Sequence, residues 1–482
     1  MYLGLDLGTS GATALLLDER LAVVARSTRP IQTQYPHPGW VEQDPHHLLG
    51  AVRQVGSAVL ASVPPGKAVT AAGFANPGES VLAWDARSGE PLTQVLVWSD
   101  TRAAVVCDRL RADGREVAIT ELSGLQLDPY FCAAKLAWLL RHDPAVRQAQ
   151  EAGHLRLCTL DAWIAFKLSS EYVTDHSTAS RTQLYDQQQG CWSPELLKMF
   201  AVPAGALPRI RPGLSRLGSL ALGPSRVPWT ASLLDQVAAL AGNGCLTSGE
   251  VKVTYGTGAF VLAQGGTAPP APGPTLIRSV GVSDVRGRQF VLDGGVYSAG
   301  SAVQWLVQLG ILTHASEASA FAESAGEASV RFLPAFSGLG APWWHLNARG
   351  VLSSLSAQTG RAELVRAVLD GIACCVTDIL DEAALVLGPL GRVRADGGLA
   401  QNRYLMQRQA DLSGLIIECS SEHEATALGM ALLAGVSTGA LDWAQVQERT
   451  AGSERFEPRL SEDERRRERA AWRDWLTKAA AL

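Results

Sequence analysis

An aspartate followed by a turn of small residues near the start of the sequence has the composition of a phosphate-binding segment. Asp6 ends an apolar run, and Gly8, Thr9, Ser10 and Gly11 follow it. Backbone N–H groups and hydroxyls in such a turn can surround phosphate oxygens, while the carboxylate can hold Mg²⁺ through water. The same residues also fit an ordinary glycine-rich hairpin, so the pattern alone leaves both interpretations open.

Two further glycine-rich segments lie in the second half of the chain. Residues 255–258 have the sequence Tyr-Gly-Thr-Gly between two apolar runs, and residues 396–402 begin with Asp-Gly-Gly before a helical pattern. Paired glycines let a ligand approach the backbone closely, and a helix N-terminus favours an anion. Two facing turns can hold the phosphates of one nucleotide, although residues 396–402 also fit a plain strand-to-helix connection.

Asp235 is a carboxylate that can act in acid–base chemistry. It lies directly before the helical pattern of residues 237–240. A carboxylate at a helix start that faces a cleft can accept the proton of an attacking hydroxyl. Asp is also well suited to the N-cap position of a helix, so the spacing leaves both roles open.

These segments require a framework of short strands and helices. Strand, glycine-rich turn and strand are predicted for residues 2–17 and again for 251–263, which indicates two halves built on one plan. Loops are predicted at 203–228 and 265–274, where Pro and Gly are frequent. Five stretches have helical spacing of apolar residues or a helical charge pattern, and they predict helices at 133–141, 161–168, 362–387, 402–412 and about 461–482. Helices that alternate with short strands are typical of an α/β protein.

The composition excludes several classes of protein. The 482 residues are 47% hydrophobic and 18% charged, as in a globular chain of roughly two to four domains. The net charge of −5 is spread along the chain, so we expect neither nucleic acid nor a membrane as a partner. The first residues lack a signal-peptide pattern, and the 8 cysteines form no C-x-x-C pair, which predicts a cytoplasmic protein with reduced thiols. The sequence contains no P-loop, H-E-x-x-H or G-x-S-x-G motif.

Longer segments carry a resemblance to a known family. They lie at residues 35–45, 123–131, 173–182 and 334–343. Together with the glycine-rich turns, these segments resemble the FGGY carbohydrate kinases over nearly the whole chain, and most of all the glycerol kinases among them. The resemblance implies two ribonuclease-H-like α/β domains of the actin and hexokinase type, at 1–244 and 245–482, on either side of a nucleotide cleft.

The resemblance also implies a role for individual residues. Asp235 would be the general base, and Asp6 and Asp235 would hold Mg²⁺. The residues that would contact ATP are Ser10, Gly256, Thr257, Gly300, Gln304, Gly398 and Asn402. The residues that would contact a polyol or sugar are Glu79, Trp98, Tyr130, Asp235, Gln236 and Phe260. Trp98 and Tyr130 also fit a purely buried role, since aromatic side chains at strand ends are often part of a core.

The sequence departs from the glycerol kinase pattern at two positions. Glycerol kinases have an arginine that binds two hydroxyls where this chain has Gly78, and a second arginine near the γ-phosphate where it has Thr13. A charge-assisted contact of about 1.5–3 kcal/mol would be lost at Gly78, which weakens glycerol binding roughly ten- to a hundredfold unless another group replaces it. We expect Gly78 to leave empty volume that a longer polyol or a sugar would fill.

The resemblance therefore implies an ATP- and Mg²⁺-dependent kinase that phosphorylates glycerol or a related small polyol. A kinase for a ketopentose or another small sugar is the alternative within the same family. A nucleotide-binding sensor with weak turnover is an alternative from a different class of function. Relatives are often dimers or tetramers, so a homodimer or homotetramer is also implied, although no apolar pattern in the sequence identifies an interface.

Overall fold

Two large mixed sheets form the framework of the protein, one in each half of the chain. The computed structural model describes residues 1–270, 273, 275–326, 329–345, 347–420, 422, 424–451 and 454–480. Strands alternate with helices in both halves, which confirms the predicted α/β class. Within these described ranges, no helix is both long enough and apolar enough to cross a membrane.

The first half contains fourteen strands and nine helices among the described residues. The strands are β1 (Tyr2–Leu7), β2 (Gly11–Leu17), β3 (Val23–Pro30), β4 (Glu42–Gln43), β5 (Ala71–Asn76), β6 (Val81–Asp85), β7 (Val95–Leu96), β8 (Leu155–Thr159), β9 (Val173–Asp175), β10 (Tyr185–Asp186), β11 (Cys191–Trp192), β12 (Arg209–Arg211), β13 (Leu214–Leu222) and β14 (Ser225–Leu234). The helices are α1 (Pro45–Leu60), α2 (Ala104–Ala112), α3 (Glu116–Ser123), α4 (Cys132–His142), α5 (Pro144–Glu151), α6 (Leu160–Ser169), α7 (His176–Ala179), α8 (Pro194–Phe200) and α9 (Asp235–Gly242).

The first sheet brings several strand ends to one edge. Its strand order is β13-β14-β5-β1-β2-β3. Both β1 and β14 run parallel to β5, so the carboxyl ends of these three strands lie side by side. A separate four-stranded sheet, β4-β7-β6-β8, belongs to the same half. The segments that follow β1, β5 and β14 therefore meet at one edge of the first sheet.

The second half repeats this plan. Its strands are β15 (Val251–Tyr255), β16 (Ala259–Gly266), β17 (Ile277–Asp284), β18 (Gly287–Val296), β19 (Arg331–Leu333), β20 (Val351–Ser353), β21 (Val393–Asp396), β22 (Ile417–Cys419) and β23 (Glu454–Phe456). Its helices are α10 (Gly300–Gln308), α11 (Ala318–Ser324), α12 (Arg361–Leu387), α13 (Arg403–Ser413), α14 (Ala425–Ser437), α15 (Trp443–Arg449) and α16 (Glu462–Ala479). The sheet order is β17-β18-β16-β15-β21-β22-β23, and β15 runs parallel to β21, so the glycine-rich segments after these two strands are neighbours.

Helices α9 and α14 pack against each other in the core that joins the two halves. One buried cluster contains side chains from the first sheet, from both helices and from the second sheet, where Leu262 and Val291 lie. The backbones of α9 and α14 touch because each helix has a glycine at the contact, Gly242 in α9 and Gly429 in α14. A Cβ atom would lie 1.9 Å from the Ala425 carbonyl oxygen at Gly242, and 2.0 Å from the Ala238 carbonyl oxygen at Gly429. Helix α14 comes from the second half of the chain but packs in the same core cluster as the first sheet. The division of the chain at residues 244 and 245 therefore stays a prediction.

The predicted helices are confirmed as α4, α6, α12, α13 and α16. One predicted loop is wrong. Residues 203–228 contain β13 and the start of β14, which form a hairpin. Pro228 is tolerated in β14 because it pairs only with β13, and pairing with β5 begins at Trp229. In the other predicted loop, residues 265 and 266 end β16, and residues 271, 272 and 274 lie outside the described residues.

Candidate active site

A cavity of 200 Å³ lies where the two halves meet. Its lining residues are Thr9, Pro77, Glu79, Trp98, Tyr130, Arg181, Asp235, Gln236, Phe260, Val261, Leu262 and Asp293. We call it the charged cavity, because its walls include three carboxylates and one guanidinium. All of the residues that the resemblance assigned to the polyol or sugar line it, so the structure brings that predicted set together.

Asp235 lies at the edge where β14 ends and α9 begins. Leu234, not Asp235, occupies the N-cap position, and the Asp235 side chain caps no helix N–H in the second or third position. Its Oδ1 accepts the N–H of Gln236 at 2.6 Å, and among the described residues the other oxygen has no hydrogen-bond partner. Burial, and then the nearby Glu79 carboxylate, raises the pKa of Asp235 to about 7. A carboxylate of this kind can accept a proton from a hydroxyl in the cavity.

An ion-paired cluster forms another wall of the charged cavity. Arg181 follows α7, and its Nε donates to Glu79 Oε1 at 2.5 Å. Its Nη1 donates to Asp293 Oδ2 at 3.0 Å, and Asp293 belongs to β18 in the second half. Burial by itself lowers the pKa of Arg181, but the two carboxylates outweigh it and raise that pKa. The guanidinium therefore links the two halves at the cavity.

Two aromatic side chains cover the cavity from the first half. The rings of Trp98 and Tyr130 are 5.5 Å apart, and Trp98 Nε1 donates to Thr9 Oγ1 at 2.9 Å. The fully buried Lys135 ties their loops together, because its Nζ donates to the carbonyl oxygens of Pro129 at 2.9 Å and Tyr130 at 2.5 Å, with the Trp98 carbonyl at 3.4 Å. Trp98 and Tyr130 are thus cavity walls, and their backbone is held by a buried cation.

Gln236 and Phe260 complete the cavity. Gln236 Oε1 accepts from Lys252 Nζ at 2.8 Å, and the same ammonium group donates to Thr254 Oγ1 at 2.8 Å. This bond leaves the amide nitrogen of Gln236 available as a donor. Phe260 extends from β16 with 36% of its surface exposed, which is unusual for a large apolar side chain next to a core. Its ring therefore covers the cavity from the second half.

The expectation of empty volume at Gly78 is wrong. A Cβ atom at Gly78 would lie only 2.3 Å from Leu234 Cδ1, so the Leu234 side chain already occupies the space beside this glycine. At the second departure, Thr13 is buried, and its hydroxyl lies 3.3 Å from Thr28 Oγ1. The space beside Gly78 is therefore occupied, and Thr13 is part of the pairing between β2 and β3.

A second cavity, of 640 Å³, lies at the edge where β15 and β21 end. We call it the glycine-lined cavity. Its lining residues are Tyr255, Gly256, Thr257, Gly300, Ser301, Val303, Gln304, Ala315, Ser316, Gly398, Leu399, Gln401 and Asn402. Six of the seven residues that the resemblance assigned to ATP are among them. The seventh, Ser10, lies exposed in the turn between β1 and β2 and lines neither cavity.

Helix α10 begins at the glycine-lined cavity. The N–H of Gly300 donates to the Gly256 carbonyl at 2.9 Å, and the N–H of Ser301 donates to the Thr257 carbonyl at 3.0 Å. On the other side, Asn402 caps α13 by accepting the Leu405 N–H at 2.9 Å. These bonds occupy the N–H groups at the starts of α10 and α13, whereas the N–H of Thr257 donates to no group among the described residues. That free N–H and the positive end of the α10 dipole suit a phosphate group.

The site contains ligands suited to a magnesium ion. Oδ1 of Asp6 is buried and has no hydrogen-bond partner among the described residues. Burial raises the pKa of Asp6 strongly, and the charge of Asp235 raises it further. No group of three His, Cys, Asp or Glu side chains within the described ranges is arranged to hold a metal alone. One or two carboxylates, completed by water and substrate phosphates, is the set that Mg²⁺ uses.

Several functional residues were missed by sequence reasoning. Arg181 was noted within a family segment but was given no role, and Asp293 and Lys135 were not singled out. A carboxylate inside the apolar strand β18 and a lysine inside the buried face of α4 are local signals that can be found in the sequence. The partners of these side chains cannot be found in this way, because those partners lie in other elements.

Comparison with known proteins agrees with this geometry. The sequence model described as "FGGY family of carbohydrate kinases, N-terminal domain" matches residues 1–242, and the corresponding C-terminal domain matches residues 251–438. A glycerol kinase of Halorhodospira halophila is 38% identical over 98% of this chain and 94% of its own length. A glycerol kinase of Gloeobacter violaceus is 42% identical over 91% of this chain and 88% of its own.

Solved structures have the same fold. Glycerol kinase of Plasmodium falciparum with ADP has a TM-score of 0.94 and 29% identity, over 99% of this chain and 97% of that one. Xylulose kinase from Rhodospirillum rubrum has a TM-score of 0.90 at 24% identity, over 100% and 98%, which shows the fold alone. The predicted two-domain α/β fold is confirmed. By its sequence models, its relatives and its fold, this chain belongs to the FGGY family of carbohydrate kinases.

Proposed function

We propose that this kinase transfers the γ-phosphoryl group of ATP to a primary hydroxyl of glycerol or of a related small polyol. The relatives that match nearly the full length of the chain are glycerol kinases. The charged cavity, at 200 Å³, is below the roughly 300–1,000 Å³ of pockets for drug-sized ligands, so it suits a molecule of few atoms. Carboxylate and amide groups beside aromatic walls suit a carbon chain that carries hydroxyls.

The free carboxylate oxygen of Asp235 is the observation that carries this proposal. Asp235 lines the charged cavity and makes only the hydrogen bond to the Gln236 N–H within the described part of the chain. In the reaction, the substrate oxygen forms a bond to the γ-phosphorus, the bond from that phosphorus to the β–γ bridging oxygen breaks, and ADP leaves. The hydroxyl proton passes to Asp235. The carboxylate thus acts as general base without forming a covalent intermediate.

The nucleotide binds in the glycine-lined cavity, with its phosphates directed toward the turns that follow β1 and β15. The N–H of Thr257 donates to no group among the described residues and is available to a phosphate oxygen there, while Gly398 and Asn402 border the remainder of the nucleotide. Asp6 and Asp235 would hold Mg²⁺, which supplies charge neutralisation for the phosphates. Trp98 and Tyr130 exclude water from the charged cavity, which limits hydrolysis of ATP.

A substrate panel with coupled detection of ADP tests this function. Glycerol, erythritol, threitol, xylulose and ribulose are compared by kcat/KM, with and without EDTA. We expect the highest kcat/KM with glycerol and loss of turnover when EDTA removes the divalent cation. A higher kcat/KM for either ketopentose overturns the polyol assignment and favours the alternative within the family. Assembly into a homodimer or homotetramer and a cytoplasmic location stay predictions from the resemblance.

A further inference from the structure

Among the described residues, the charged cavity contains one guanidinium, which belongs to Arg181 in the segment at residues 173–182 and not to position 78. Among the described residues that line this cavity, Arg181 is the only one with a cationic side chain. Its side chain is 4% exposed, and its two carboxylate partners, Glu79 and Asp293, line the same cavity. A cation held this firmly beside a substrate-sized space is in a position to bind the substrate.

The Arg181 guanidinium retains donors that the protein does not use. An arginine side chain has five N–H donors. Nε is used by Glu79 and Nη1 by Asp293, whereas Nη2 donates to no group among the described residues. Nη2 is also absent from the fully buried polar atoms that lack a partner, so it remains accessible. A hydroxyl oxygen in the cavity is a suitable acceptor for it.

Position 78 cannot provide this contact without rearrangement. Leu234 Cδ1 lies 2.3 Å from where a Cβ atom at Gly78 would be, so a side chain there requires this methyl group of the buried Leu234 to move. The two observations are independent, since one concerns the volume beside Gly78 and the other the unused donors of Arg181. Together they leave Arg181 as the cationic donor that the described lining of the cavity offers to a substrate hydroxyl.

We propose that Arg181 is a specificity-determining residue that binds a hydroxyl of the polyol through Nη2, in a cavity to which Gly78 contributes no guanidinium. This inference rests on the proposed function and names the residue that distinguishes its substrate. Three carboxylates and one guanidinium give the cavity a net negative charge when Asp235 is ionised, which disfavours anionic substrates such as aldonic acids. A contact between a charged donor and a hydroxyl favours glycerol over a deoxy analogue by about ten- to a hundredfold.

Substrate analogues separate a binding role of Arg181 from a structural one. We compare kcat/KM for glycerol, 1,2-propanediol and 1,3-propanediol in the wild type and in Arg181→Lys. If Nη2 binds a glycerol hydroxyl, Arg181→Lys lowers kcat/KM for glycerol about ten- to a hundredfold. The propanediol that lacks the contacted hydroxyl loses much less, so the preference for glycerol over it shrinks. An equal loss for all three substrates overturns the inference.

Two controls keep the outcome clear. Arg209→Lys changes an exposed arginine whose Nη2 lies 3.2 Å from Glu171 Oε2, and we expect all three kcat/KM values to stay at the wild-type level. ADP affinity, measured by titration calorimetry, reports whether the Arg181→Lys protein is folded. A wild type without any polyol-dependent turnover overturns the proposed function and this inference together. A wild type that uses glycerol, with a preference that Arg181→Lys leaves unchanged, overturns only the inference.

A second variant decides the question if Arg181→Lys does not fold. Asp293→Asn keeps the shape of the β18 side chain but removes one of the two charges that hold the guanidinium. We expect the preference for glycerol over the affected propanediol to fall severalfold, with ADP affinity unchanged. Equal losses for glycerol and both propanediols in Asp293→Asn contradict the inference.

Discussion

The two cavities are built from different parts of the polypeptide. The charged cavity measures 200 Å³ and is lined by side chains that include three carboxylates and a guanidinium. The glycine-lined cavity measures 640 Å³, and no described residue of its lining carries a charged side chain. A small uncharged substrate can be distinguished only by hydrogen bonds to its few hydroxyls, whereas a nucleotide offers phosphates that backbone N–H groups and helix N-termini can bind. The difference shows that one site depends on side chains and the other on backbone.

The two cavities also differ in how they are held in shape. The charged cavity is fixed by hydrogen bonds between its own walls, such as Trp98 to Thr9 and Arg181 to both Glu79 and Asp293. The glycine-lined cavity is fixed by backbone contacts, such as that of Gly300 with the Gly256 carbonyl. Conservative changes of polar side chains should therefore affect the first cavity, and addition of a single methyl group should affect the second.

The largest effect is expected at Asp235, which lines the charged cavity. Asp235→Asn keeps the size of the side chain but removes the proton acceptor, so we expect kcat to fall by about a hundred- to ten-thousandfold. The coupled assay measures this loss, and calorimetry should give unchanged affinity for ADP. Turnover at the wild-type level shows that another group is the general base.

A methyl group at Gly300 should damage the glycine-lined cavity selectively. A Cβ atom there would lie 2.4 Å from the Gly256 carbonyl oxygen, and the backbone must shift to accommodate it. Strain of about 1–3 kcal/mol corresponds to a loss of ADP affinity between about fivefold and a hundredfold, with the glycerol KM unchanged. Gly398→Ala is the control for strain, because a Cβ atom at Gly398 has no neighbour within 4 Å and should leave the unfolding temperature unchanged. A Gly300→Ala protein that raises only the glycerol KM contradicts the division between the cavities.

Lys135→Met should affect the charged cavity and leave the glycine-lined cavity unchanged, with a smaller effect than Gly300→Ala. The ammonium group satisfies carbonyl oxygens of Pro129 and Tyr130, and a thioether leaves them without a donor. The Tyr130 wall then loses its fixed position, so we expect the glycerol KM to rise about tenfold, the ATP KM to stay constant and thermal stability to fall. Lys67→Met removes only an exposed contact with Glu19 and should change neither constant. An equal rise of both constants in Lys135→Met indicates general loosening of the fold.

The smallest effect on catalysis is expected for His176, in the helix that precedes Arg181. Burial lowers the pKa of His176 to about 4, and the charge of Arg288 acts in the same direction. Its Nδ1 lies 2.8 Å from the Tyr185 hydroxyl. His176 therefore binds a proton less readily in the folded protein than in the unfolded chain. The free energy of unfolding is highest above about pH 6.5 and decreases as the pH falls toward 4, by about 3 kcal/mol at most before solvent screening. Urea unfolding at several pH values measures this dependence. In His176→Gln we expect a smaller decrease of the free energy of unfolding below pH 6.5, with unchanged turnover near neutral pH. A decrease equal to that of the wild type refutes this assignment.

Local features of the sequence predicted much of the framework and of the site. The turns after Asp6 and at residues 255–258 were predictable, because glycine in a turn is a local requirement. The helices α4, α6, α12 and α13 were predictable from their apolar spacing. The predicted loop at 203–228 was wrong, because prolines at the start of a strand with one hydrogen-bonded neighbour cannot be distinguished from loop prolines by composition.

The remainder depends on residues that meet only in the folded chain. Arg181 lies 102 positions from Glu79 and 112 from Asp293, so no local pattern indicates either ion pair. Gly78 suggested an empty space, but Leu234 from a distant strand fills it. Volume and ion pairing are properties of neighbours in space, and this is why the composition of the charged cavity was not predictable from single motifs.

The most direct test of the account is a phosphorus NMR spectrum of the wild-type protein with ATP, Mg²⁺ and glycerol. We predict that one new phosphomonoester resonance grows together with ADP in equal amounts, and that neither grows without glycerol or without the protein. Release of inorganic phosphate in place of the phosphomonoester, or no consumption of ATP at all, would contradict a polyol kinase. The second result would favour a nucleotide-binding sensor.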